Sequence, residues 1–390
     1  MADEPGPVPV AAAADRKLHL RRIDVLRGLA ILAVVLFHWY GATFGVDHLQ
    51  WKGMVRDFAS APSPAFWIFY PLSYGWMGVS LFFLISGFCI HASALQAGEL
   101  RVGKFFWRRF WRICPPYFAW LAFFVWRSGL GFSTAEDRAQ IFSHVFLFYN
   151  FGPAWIFAIS GAFWSLAVEV QLYLLYPLLW WMRRRWTMRG ALLFTLALSL
   201  LTRLVAAVFF TDWSKDFSGV VWTFPTMLWF DWTLGAYLAE EFLAGRRAFP
   251  RSISLRIAAV LVLVFSTFWK PGDAVAFSTS SCALVLLVES YLRREERESF
   301  WERLLVPLGL CSYSLYLLHY PLIPGLLHRI PIAQGMREPW HAIVVFPIAF
   351  ALLFAAAYAS YIILERGSNR LGRILWPLSG KRSWASHAAP

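Results

Sequence analysis

Charge is scarce in this sequence: Asp, Glu, Lys and Arg make up 15% of its 390 residues, where a soluble domain carries nearer a quarter. Set against 59% hydrophobic residues, that shortage excludes a water-facing globule and implies that membrane-spanning helices hold most of the chain. Cysteine is scarce too. The four, at 89, 114, 282 and 311, lie in or beside apolar stretches without paired spacing, so neither a disulfide framework nor a zinc site is indicated, and no metal is expected. Also missing are a phosphate-cradling Gly-x-x-x-x-Gly-Lys, a His-Glu-x-x-His and a Gly-x-Ser-x-Gly elbow, which leaves nucleotide hydrolysis, metal-assisted hydrolysis and elbow-serine chemistry without support. Residues 1–15 lack the basic start and apolar run of a cleavable signal, so the first span is expected to act as an uncleaved insertion signal.

Aromatic residues, by contrast, are abundant: 22 Trp, 36 Phe and 14 Tyr suit lipid contact and the two interfacial belts. Apolar runs fall near 24–45, 72–94, 111–129, 162–182, 189–211, 220–243, 256–270, 275–292, 304–328 and 340–364. They predict an all-α polytopic bundle of about ten transmembrane helices. With that count, 26 of the Lys and Arg side chains fall on one side and 8 on the other, which places both termini in the cytoplasm. Counting the shorter run 139–152 as a span would put Arg183, Arg184 and Arg185 outside, so it is read as a re-entrant or interfacial segment on the outer face. Residues 1–20 form a cytoplasmic tail expected to be disordered, 21–366 the membrane domain, and 367–390 a second cytoplasmic tail, disordered from 378. The net charge of +13 then reflects orientation in the membrane and not nucleic-acid binding.

Ionisable groups inside such runs cost at least about 2.5 kcal/mol each and are functional candidates by default. Arg27 and His38 are eleven residues apart, close to three whole turns, so both leave one helix face about 16 Å apart. A snorkelling Arg and a packed His are the plainer alternative. His319 lies at a depth similar to His38, which suggests a shared cavity, although Tyr313, Tyr316 and Tyr320 offer it structural partners. Glu169 needs a partner, for which His38 and Arg203 are candidates; Asp231 reads as structural. Ser86-Gly87 puts a small pair inside the second span, suited to helix packing or to close ligand approach. Arg109 and Arg112 share one face just before Pro115-Pro116, where a helix break is expected, and suit phosphate or lipid headgroups.

Together these residues resemble the acyltransferase-3 family of multispanning membrane O-acyltransferases, from about Ile23 to Glu365. The resemblance is carried by Asp24-x-x-Arg27-Gly28 with His38, Phe82-Phe83-x-x-Ser86-Gly87-Phe88, Arg109-x-x-Arg112-Ile-x-Pro115, Trp164-Ser165-Leu166-x-x-Glu169, Ser312-Tyr313-Ser314-Leu315-Tyr316 with His319, and Tyr361-x-x-x-Glu365. Gly367 stands where the family usually has Pro. The resemblance implies an enzyme of the bacterial inner membrane. It would move an acyl group, commonly acetyl from acetyl-CoA, to a hydroxyl of a cell-envelope carbohydrate or related acceptor. On that basis Arg27, Arg109 and Arg112, with Ser86 and Gly87, are expected to bind acyl-CoA, a co-substrate, with no bound cofactor. His38 is expected to act as base, oriented by Glu169, while His319, Tyr316 and Trp164 serve acceptor or oxyanion. The competing class is a proton-coupled transporter or glycan exporter, in which the same His and Glu would relay protons.

Overall fold

Among the residues described by this computed structural model (10–45, 63–209, 223–268, 270–295, 299–330 and 339–382) every long element is helical and none is a strand. The apolar runs become α1 (Val10–Phe44), α2 (Pro64–Phe69) with a 3₁₀ turn leading into α3 (Met77–Gln96), α4 (Val102–Ser128), α5 (Ala135–Val145), α6 (Trp164–Arg185) and α7 (Met188–Phe209). After them come α8 (Pro225–Leu243), α9 (Ile253–Phe268), α10 (Ala276–Leu292), α11 (Phe300–Leu310), α12 (Ser312–Arg329), α13 (Trp340–Ser360) and α14 (Arg366–Arg382), the last two joined by a π turn over Tyr361–Glu365. Among the described residues four stretches are long and apolar enough by themselves to cross a membrane: Arg21–Phe44, Pro64–Gln96, Met188–Ala206 and Trp340–Trp376. Counting the bent pair α11–α12 as one span makes five.

Four expectations change. The run 304–328 is not one straight helix, because the chain turns by 77° at Cys311 between α11 and α12. Pro115 and Pro116 do not break α4, which runs through both; in a membrane bundle neighbouring helices re-satisfy the backbone groups that proline frees. The tail 367–390 is helical as far as Arg382, and α1 starts at Val10, inside the tail expected to be disordered. The segment 139–152, not expected to be a span, holds the second half of the eleven-residue α5 and a 3₁₀ turn, too short to cross a bilayer.

Two close backbone approaches hold the centre. Gly87 of α3 and Gly235 of α8 face each other's helices: a Cβ at Gly87 would lie 2.0 Å from the Trp232 carbonyl oxygen, and one at Gly235 would lie 2.0 Å from that of Leu84. Small residues at such a crossing let two helix backbones pack closely where lipid supplies no hydrophobic drive. Gly309 of α11 likewise seats its backbone on the Asp24 carbonyl of α1. Outside this core, α5 is tied down by Thr134, whose side chain accepts the Asp137 N–H at 3.0 Å, and by Tyr117, whose hydroxyl donates to the His144 carbonyl at 2.9 Å. The His144 ring stacks on Tyr149 with centroids 4.1 Å apart. Its burial drives its pKa down to about 4, so this histidine is neutral at ordinary pH.

Candidate functional site

A small cavity of about 90 Å³ opens where α1, α3, α4, α6 and α12 converge. Arg27 enters it from α1, Ser86 and Cys89 from α3, and Arg109 and Arg112 from α4. Glu169 and Tyr173 line it from α6, and Tyr313 and Tyr316 from α12. Arg27 is lightly held, 3.7 Å from Asp24 Oδ1 and 3.9 Å from Cys89 Sγ. Arg109 lies over the rings of Phe105 and Tyr173, 5.7 and 5.6 Å from their centroids, and its Nε has no hydrogen-bond partner. Among the described residues neither Arg109 nor Arg112 forms a hydrogen bond or close ion pair; carboxylates whose fields reach them include Glu169 and, for Arg112, Glu365 and Asp24. Guanidiniums gathered at a cavity without protein acceptors are poised for an anionic ligand.

Arg109 and Arg112 also border a second, larger space, a groove of about 1050 Å³ between α4 and the stretch from Tyr361 to Trp376. The small cavity thus has an arginine-rich mouth. Its opposite end is Tyr316. The Tyr316 hydroxyl donates to the Ala162 carbonyl and lies 2.6 Å from Ser165 Oγ, which must then be the donor to it. Beyond Tyr316 stand the two imidazoles: the His319 ring is 5.3 Å from that of Tyr316 and 5.0 Å from that of His38, which also meets Tyr320 at 4.8 Å. His319 Nδ1 is 2.7 Å from the Tyr316 carbonyl oxygen. A carbonyl only accepts, so Nδ1 carries the proton, and Nε2, buried with no partner, is a bare lone pair.

Arg27, Arg109, Arg112, Ser86, Glu169 and Tyr316 therefore meet around one cavity, with His38 and His319 one layer beyond, across Tyr316. Several expected roles need correction. Glu169 does not orient His38 and does not pair with Arg203; it accepts from Ser86 Oγ at 2.8 Å and from the Tyr173 hydroxyl at 2.5 Å. Gly87 is a packing residue against α8 and does not line the cavity. Trp164 stands apart, its ring 5.8 Å from Phe277. Neither Tyr316, whose proton is committed to Ala162, nor His319, which offers only a lone pair, is placed to donate to an oxyanion.

The structure gives two further residues a role: Glu365, part of the motif Tyr361-x-x-x-Glu365, and His91, which sequence reasoning misses. Glu365 accepts from the Ser314 backbone N–H at 2.9 Å and from Ser314 Oγ at 2.5 Å. It thereby satisfies the otherwise orphaned first turn of α12 after the bend and fixes the helix that carries Tyr313 and Tyr316. His91 is buried between the Tyr176 hydroxyl at 3.2 Å and Glu240 Oε2 at 2.9 Å. Glu240 in turn takes a bidentate pair from Arg183 at 2.6 and 2.7 Å. An ionisable residue in an apolar run is signal enough for His91, by the rule that singles out His38.

The sequence matches the family described as an acyltransferase domain over residues 20–362, a stretch holding every cavity residue named above. The chain belongs to the acyltransferase-3 family. It is a multi-pass membrane acyltransferase. Among its relatives, BcsY of Komagataeibacter xylinus, named as a membrane-bound transacylase, is 26% identical over 379 residues, covering 89% of this chain and 82% of that one. Nodulation protein 10 of Rhizobium leguminosarum bv. viciae is 27% identical over 380 residues, covering 90% and 94%. The peptidoglycan O-acetyltransferase OatA of Listeria monocytogenes is 25% identical over 386 residues, covering 90% of this chain and 56% of OatA. This chain thus spans little more than half the length of that enzyme. No solved structure matches it.

Proposed function

We propose that this protein transfers an acyl group, acetyl in the simplest case, from cytoplasmic acyl-CoA to a hydroxyl of a cell-envelope carbohydrate or peptidoglycan, across about ten spans with both termini in the cytoplasm of a bacterial inner membrane. One observation carries the reading. Arg109 and Arg112, unpaired, stand between a wide groove and a narrow cavity that ends against a pair of imidazoles. Cations suit the phosphates of the donor, the cavity suits its extended pantetheine arm, and the imidazoles suit the thioester end. The relatives BcsY and OatA, named a transacylase and an O-acetyltransferase, support the same chemistry.

In the step itself, His38, half-buried and the more open of the two imidazoles, accepts the proton of the acceptor hydroxyl as its oxygen bonds to the thioester carbonyl carbon. The tetrahedral adduct collapses with cleavage of the C–S bond. The thiolate leaves with the electron pair and takes the proton from the imidazolium, so His38 ends neutral and the products are the ester and the free thiol. The bare Nε2 of His319 holds the acceptor by a hydroxyl proton. Glu169, fixed by Ser86 and Tyr173, balances part of the cavity's positive charge. General-base assistance of this kind contributes about 10² to 10⁴ in rate.

Purified protein supplied with radiolabelled acetyl-CoA and an envelope glycan tests the reading. Label should pass to the glycan, and His38→Ala should stop it in a protein that still elutes as one species. No label in the glycan, together with donor-independent proton flux in vesicles, would establish a transporter instead. The Ser86 hydroxyl, hydrogen-bonded to Glu169 in the same cavity, favours a second route through an acyl-serine. Label on Ser86 in the absence of acceptor would establish that route.

A further inference from the structure

The groove beyond the cavity is built by a helix outside the matched family region, which ends at residue 362, whereas α14 runs from Arg366 to Arg382. At about 100° per residue the sides of this helix divide its labour. Arg366, Arg370 and Arg373 fall within one narrow arc and line the groove. Ser368 and Gly372 are buried, and a Cβ at Gly372 would meet the Trp111 side chain at 2.4 Å, so this side seats α14 on α4. Leu371 and Ile374 are 44% and 56% exposed, an apolar edge suited to the membrane interface. Trp107 fastens the pair by donating Nε1–H to the Gly372 carbonyl at 2.8 Å, with its ring 6.0 Å from that of Trp376.

Lys104, Arg108, Arg109 and Arg112 of α4 line the same groove. Seven cations therefore line one space whose lining contains no carboxylate. Trp107, Trp111 and Trp376 line it too. Clustered guanidiniums recognise phosphate, and indole faces stack on a nucleobase. At about 100° per residue, the apolar edge of Leu371 and Ile374 is centred roughly 100° around the helix from the three arginines.

We infer that α14 and the opposed face of α4 bind the phosphorylated adenosine end of the acyl donor, holding its 3′-phosphate and diphosphate while Arg109 and Arg112 pass the pantetheine arm into the cavity. This rests on the acyl-CoA reading above and extends it to a helix that the family match does not cover. An anionic lipid headgroup has related phosphate chemistry and is the source that the test must separate.

The test compares full-length protein in nanodiscs of phosphatidylcholine or phosphatidylglycerol, measuring affinity for CoA and for 3′-dephospho-CoA, and KM for acetyl-CoA. The wild type should prefer CoA over dephospho-CoA in both lipids. Arg370→Ala with Arg373→Ala should weaken CoA about tenfold or more, erase that preference and raise KM with little change in kcat. Gly372→Leu, which wedges α14 away from α4, should weaken CoA while Arg370 and Arg373 are still present. Unchanged CoA affinity in both variants, with the preference intact, overturns the proposal, as does a defect confined to phosphatidylglycerol discs. Absence of CoA binding by the wild type would instead remove the donor reading itself.

Discussion

Two sets of arginines in this protein are treated in opposite ways: Arg203 is buried, whereas Arg109 is half-buried and Arg112 exposed. Arg203 of α7 spends Nε and Nη2 on the carbonyls of Ala274 and Met227, at 2.6 and 2.8 Å, and on Ser278 Oγ at 2.9 Å. Ser278 passes the network on to Asp231 at 3.1 Å. Arg109 and Arg112 have a carboxylate nearby, yet Glu169 is held by Ser86 and Tyr173 and does not close on them. Arg203 is closed into the fold on three acceptors, while Arg109 and Arg112 stand at the cavity and the groove with no hydrogen-bond partner among the described residues, where guanidiniums are open to an anionic ligand. The first group is structural and the second is the candidate site.

The largest effect belongs to the imidazole end. His38→Ala is expected to lower transfer by about 10² to 10⁴ with no loss of monodisperse protein. Next comes the pair of substitutions that breaks the comparison most cleanly. Arg112→Ala should raise KM for acetyl-CoA, by about tenfold for each charge-assisted hydrogen bond to the donor that it removes, and leave KM for the acceptor and the melting temperature nearly alone. Arg203→Ala should do the reverse, lowering stability by about 3–5 kcal/mol because Asp231 is left uncompensated. Should both substitutions act on stability alone, the open arginines would be structural too. Gly87→Ala should cost about 1–3 kcal/mol through overpacking against Trp232, visible as a lower melting temperature with KM for acetyl-CoA unchanged; a selective rise in that KM would return Gly87 to the donor site.

The smallest effect lies outside the spans. His144 has a native pKa of about 4 against roughly 6.5 unfolded, so between those values the unfolded chain binds the extra proton. Stability should therefore fall as pH drops from about 6.5 towards 4. His144→Gln should flatten that part of a melting-temperature profile.

Sequence legibility follows the length scale of the cause. Hydrophobic length and charge asymmetry expose the apolar runs, and cost at bilayer depth exposes Arg27, His38, Glu169 and His319, because each of those signals is local. The bend at Cys311 is hidden because residues 304–328 form one apolar run, and the group that bonds the first turn after the corner is a distant carboxylate, Glu365, on Ser314. The partner of Glu169 is not legible because similar depth says nothing of azimuth, and α6 turns its carboxylate towards Ser86 on α3. Ser86 and Gly87 are neighbours in sequence, yet successive residues on a helix point about 100° apart, so one lines the cavity and the other packs on α8. The helix α14 resembles a tail in sequence because its arginines exclude a span, although its period is that of an interfacial helix.

The central claim is that a donor entering at the arginine mouth reaches an acceptor at the imidazole end, on the opposite face of the membrane. Oriented proteoliposomes test it directly, with the glycan enclosed on the face bearing the His38 end and labelled acetyl-CoA supplied only to the face bearing Arg366, Arg370 and Arg373. Label in the enclosed glycan, lost with His38→Ala, is the predicted result. Transfer that occurs only when donor and acceptor share one face would contradict the account.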